Sequence, residues 1–158
     1  MRSKVIFMFA ALVSTTAVTG AYAATGTVPF TGIVTTTCAL TVGTPGIIAP
    51  SADYTSLSST AAGGSAGTVA ALATGAAFKV STVAPSSFTA APATGGDNVS
   101  FSSTYSGSGS TTIGSTSGAS QTTLNPGVTN LNVNLSATKG SGVFAGGAYA
   151  AEVIVRCE

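Results

Sequence analysis

The chain has 158 residues, five of them basic and four acidic, with no histidine and no tryptophan. Without histidine the usual general base and the commonest metal ligand are missing, and so few cations cannot build a footprint for nucleic acid. The size fits one domain, and neither catalysis nor a cofactor is expected.

In chain order, the first feature is a secretory signal over residues 1–23. Arg2 and Lys4 form its positive start, residues 5–13 are an apolar run of nine, and Ala21-Tyr22-Ala23 is an A-x-A cleavage site. Nine apolar residues are too few to span a bilayer, and no later segment approaches the length of a membrane helix. The mature chain is therefore residues 24–158, in which Lys79, Lys139 and Arg156 face four acids for a net charge of −1. Its 135 residues hold 42 Ser and Thr but only 28 Leu, Ile, Val and Phe. That apolar content allows a modest core, wrapped in a surface of hydroxyls and glycine instead of charge. A surface so poor in charge suits a protein that associates with copies of itself.

Period-two alternation then dominates, and all the legible elements are strands. Val28, Phe30, Val34, Cys38 and Leu40 share one parity after the cleavage site, which predicts one strand or two collinear strands with those side chains buried. Residues 68–73 suit a short strand or a short helical turn. Phe78 and Val80 face inward on a strand over 78–82, and Val99, Phe101 and Tyr105 on one over 98–105. Leu131, Val133, Leu135 and Ala137 alternate with Asn132, Asn134 and Ser136 in the cleanest interior strand. In the last strand Tyr149, Ala151, Val153, Val155 and Cys157 alternate with Ala150, Glu152, Ile154 and Arg156. The separators are Gly/Ser/Thr/Pro stretches at 61–67, 85–96, 106–110, 114–120 and 125–127. Short strands between such turns predict an all-β sandwich.

Two cysteines in an exported chain favour pairing, and both sit on the inward parity of the first and last strands. A Cys38–Cys157 bridge closes a loop of 120 residues and stabilises the fold by about 4–5 kcal/mol in the chain-entropy picture. No serine stands in a G-x-S-x-G elbow, and Asp97-Asn98 is isolated where a calcium loop needs clustered carboxylates. The sequons at Asn98 and Asn134 fall inside predicted strands and carry no weight.

Gly26-Thr27-Val28-Pro29-Phe30-Thr31-Gly32-Ile33-Val34, followed by Cys38-Ala39, resembles the opening of chaperone–usher fimbrial subunits. Phe144-Ala145-Gly146-Gly147-Ala148-Tyr149, followed by Val153-Ile154-Val155, is similar to the last strand of that family and of the related spore-coat-U-like secreted domains. The resemblance covers roughly the first 20 and last 15 mature residues. It implies an immunoglobulin-like β-sandwich that lacks a strand and is completed by donor-strand exchange, a form of β-strand addition. Val28 and Phe30 would then enter the groove of the next subunit. Val34, Leu40, Tyr149, Val153 and Val155 would line the groove or core of this one. The implied partners are further copies of the chain, a periplasmic chaperone and an outer-membrane usher, and the implied location is the periplasm in transit, then the cell surface. The alternative is a self-complete secreted sandwich that binds a glycan or host surface, for which Tyr54, Phe88 and Phe144 are the aromatics outside the predicted strands.

Overall fold

The computed structural model describes residues 23–158, so the signal peptide expected over 1–23 falls outside the described residues except for Ala23. The chain divides into two units, Met1–Gly32 and Ile33–Glu158. In the first, residues 23–32 form no regular secondary structure and are exposed throughout.

The second unit is all-β. Its strands are β1 (Cys38–Val42), β2 (Ala49–Pro50), β3 (Ser56–Ser58), β4 (Gly67–Ala73), β5 (Lys79–Val83), β6 (Val99–Gly109), β7 (Ile113–Ser117), β8 (Thr122–Thr123), β9 (Gly127–Lys139) and β10 (Ile154–Cys157). Seven of them form one sheet around β9, and β10, β5 and β8 form a second. All ladders are antiparallel.

β9 organises the larger sheet because its alternation is the most regular in the chain. Thr129, Leu131, Val133, Leu135 and Ala137 are buried, and the asparagines between them face outward. β4 pairs with the first half of β9 and carries β1 on its far flank. β3 pairs with the last turn-proximal residues of β9, and β6 runs along the opposite flank with β7 beyond it. Hydrogen bonding on both flanks settles residues 67–73 as strand, and the inward Ala71 and Ala73 leave room for larger neighbours.

The core lies between the two sheets. Val69, Leu131, Val133 and Tyr105 from the larger sheet meet Val80 of β5, with Val155 and Cys157 packed against them. Tyr105 is fully buried, and its hydroxyl donates to the Ser120 carbonyl at 2.8 Å with Thr122 Oγ1 at 2.7 Å. The polar tip of a buried ring is thereby satisfied. Cys38 and Cys157 form the expected disulfide, with Cα atoms 6.2 Å apart, and it joins β1 of one sheet to β10 of the other.

Several sequence expectations are corrected here. The last strand, expected from Tyr149, begins only at Ile154, with one isolated bridge at Ala150 before it, and Leu40, expected to be buried, is exposed. The strand expected from residue 28 begins only at Cys38, and Val28 (74%), Phe30 (92%) and Val34 (81%) are exposed instead of buried. The regular ladder with β4 ends where Cys38 meets Ala73, and only residues 35–37 are held beyond it, by Thr74. The tracts expected as separators at 106–110 and 114–120 contain strand, since β6 continues to Gly109 and β7 starts at Ile113. Gly107 takes an inward position there, and a Cβ on it would stand 3.1 Å from both Ile113 Cδ1 and Leu131 Cδ2. The Ser-Gly alternation is thus a strand with serine outside and no side chain inside.

Candidate functional site: an apolar groove between two free strand flanks

β1 is hydrogen-bonded to β4 along one flank, and β10 to β5 along one flank. Among the described residues no strand pairs with the other flank of either. The run leading into β10 is tethered only at Ala150, whose carbonyl accepts from the Thr89 N–H at 2.7 Å and whose own N–H donates to Ala90 at 2.8 Å. Between these two free flanks lies an open groove of 790 Å³.

One wall is Leu40 and Val42 of β1, continued by Ile47 and Ile48. The other is Tyr149, Ala151, Val153 and Val155, one side of a run in which exposure alternates residue by residue to the end of β10. The base is Val69 of β4 with Val133 and Leu135 of β9. Glu152 supplies the only carboxylate among the lining residues. At one end the disulfide ties the two walls together, beside Leu40 and Val155. At the other, Tyr149 packs edge-on against Phe88 (5.0 Å) and Phe144 (5.4 Å) and donates its hydroxyl to the Ala145 carbonyl at 2.8 Å. A smaller cavity of 320 Å³, lined by Tyr54, Leu57 and Phe144 among others, shares Ile48 and Tyr149 with the groove.

Of the residues singled out in the sequence, Leu40, Tyr149, Val153 and Val155 line this one groove. Val34 does not, and its assignment to groove or core is corrected. Val28 and Phe30 lie in the exposed, irregular stretch before it. The sequence reading missed Val42, Ile47 and Ile48. An apolar pair just after the Pro45-Gly46 turn was the available signal for the last two. Of the three aromatics outside the predicted strands, Phe144 is buried, Phe88 is half-buried, and Tyr54 alone is exposed.

Such a groove is built for backbone as much as for side chains. Two free flanks present unpaired N–H and C=O groups, and a strand between them would satisfy both. Its side chains facing the base would have to be apolar at every second position. The wall from Tyr149 to Val155 is seven residues, roughly 20 Å at about 3.3 Å per residue. Among the described residues no group of three or more His, Cys, Asp and Glu side chains stands together. Hydrogen bonds from Ser51 and then Thr55 hold the exposed Asp53 carboxylate below its ordinary pKa. Among the described residues no helix is long and apolar enough to cross a membrane. Comparison with protein-family models, with curated proteins and with solved structures finds no match to this chain.

Proposed function

We propose that the chain is a structural, non-enzymatic subunit of an extracellular filament, exported through the periplasm to the cell surface and polymerised by donor-strand exchange. The observation that carries this reading is the groove itself. It is apolar at its base and flanked by two strand edges with no partner among the described residues, in an all-β fold of two antiparallel sheets.

Its occupant is residues 28–34 of a second copy. Val28, Phe30 and Val34 share one parity, span seven residues like the Tyr149 wall, and are exposed in their own subunit. Burying each of these side chains is worth about 1.5–3 kcal/mol, before the ladder hydrogen bonds are added. Val34 therefore joins Val28 and Phe30 in the donor strand. A chaperone and an usher would guard the groove before assembly, since an open apolar strand site aggregates in their absence.

The test is the exported protein run on an SDS gel unboiled beside boiled. Strand-exchanged subunits give a ladder that collapses to monomer only on heating, and removal of residues 24–34 abolishes it. A single monomer band in both lanes overturns the reading. Attention then passes to Tyr54 and a glycan ligand.

A further inference from the structure

The groove could in principle be filled by the same chain that forms it, which would end assembly at the monomer. Whether it is depends on Thr35, Thr36 and Thr37, the only residues between the donor segment and β1. To fill its own groove, residues 28–34 would have to lie along the free flank of β1, and the chain would have to reverse within these three residues. Three-residue reversals between strands place one residue in the left-handed region, where Gly or Asn is at home and a β-branched side chain is strained. A parallel return would need a far longer connection.

The three threonines are also held in another arrangement. Thr74, the residue after β4, clips them to the end of that strand. The Thr37 N–H donates to Thr74 Oγ1 at 2.7 Å, the Thr74 hydroxyl donates to the Thr35 carbonyl at 2.8 Å, and the Thr74 N–H donates to the Thr37 carbonyl at 2.9 Å. Thr36 lies on Gly75, where an added Cβ would come within 2.8 Å of its Cγ2. The β1–β4 pairing is in effect prolonged past Cys38, in the direction that makes no return.

We infer that Thr35, Thr36 and Thr37, clipped by Thr74 and Gly75, are a spacer that denies the donor segment to its own groove and directs it to a second copy. This rests on the assembly reading above, and the experiment separates the two. Four full-length exported proteins are compared by unboiled SDS gel, size exclusion and thermal melting: wild type, the chain lacking residues 24–34, T74V, and the triple variant T35N/T36G/T74A, which installs a turn and removes the clip. The expected result for the triple variant is a monomer that melts above the deletion variant, because its own segment now fills the groove. T74V, which keeps the side-chain shape, is expected to raise the monomer-to-polymer ratio about tenfold through loss of the clip's hydrogen bonds. A triple variant with the wild-type ladder overturns the spacer, as does a monomer melting no higher than the deletion variant. A wild type without a ladder overturns the assembly reading and the spacer with it.

Discussion

The two ends of the described chain carry the same kind of pattern and meet opposite fates. Residues 149–157 put Tyr149, Ala151, Val153, Val155 and Cys157 on one parity, and their exposure alternates in step. Residues 28–34 alternate just as well, yet Val28, Phe30 and Val34 are as exposed as the threonines and glycine around them. The difference lies in the neighbours. β10 has β5 to pair with and the core of the larger sheet beneath it, whereas among the described residues no strand is hydrogen-bonded to residues 28–34. Alternation records that a segment is fit to be a strand, and a partner decides whether it becomes one.

The sharpest way to break this contrast is to cut what joins the two ends. Replacing Cys38 and Cys157 by serine should cost about 4–5 kcal/mol for a loop of this length, read as a lower urea midpoint with a steeper slope, because the uncrosslinked denatured chain exposes more surface. An effect under 1 kcal/mol would mean that the β1–β4 and β5–β10 ladders hold the walls without the bridge. Next, Val155→Ala at the half-buried C-terminal wall should destabilise the folded monomer by about 1–2 kcal/mol. Phe30→Asp should leave monomer stability within about 0.5 kcal/mol of wild type, although it changes a much larger side chain. The same substitution should abolish the detergent-resistant ladder, so that one end governs folding and the other assembly. Equal stability losses at Val155 and Phe30 would erase the contrast. The smallest effect belongs to Asp53, away from both ends. Its pKa is lowered in the fold, so its contribution is present above the unfolded carboxylate value of 3.8 and is lost as pH falls through the folded value. Asp53→Asn should therefore change stability slightly at neutral pH and not at all in strong acid, as read by urea titrations at both.

The all-β class, the disulfide and the course of β9 were legible in the sequence because each depends on large side chains at a regular period. The inward parity of Leu40, Tyr149, Val153 and Val155 was legible for the same reason, and a groove was implied only by the resemblance. Val34 could not be separated from them, because parity carries no information about whether a neighbour is there to bury it. β6 beyond Tyr105 and all of β7 were hidden by composition. Where Gly107 faces inward, the volume is filled by Ile113 and Leu131 from adjacent strands, and a missing side chain leaves no mark in a hydropathy pattern. The base of the groove was legible only as core, since Val69 and Val133 look the same whether a strand covers them or not.

The disulfide has a mechanical consequence. Tension applied along the chain from residue 34 reaches Cys38 after four residues and can cross at once to β10 through a span of 6.2 Å between Cα atoms. The link lets β1 and β10 share a pull that arrives at Cys38, since the β1–β4 and β5–β10 ladders then bear it together. In reducing conditions the same pull would fall on the β1–β4 ladder alone.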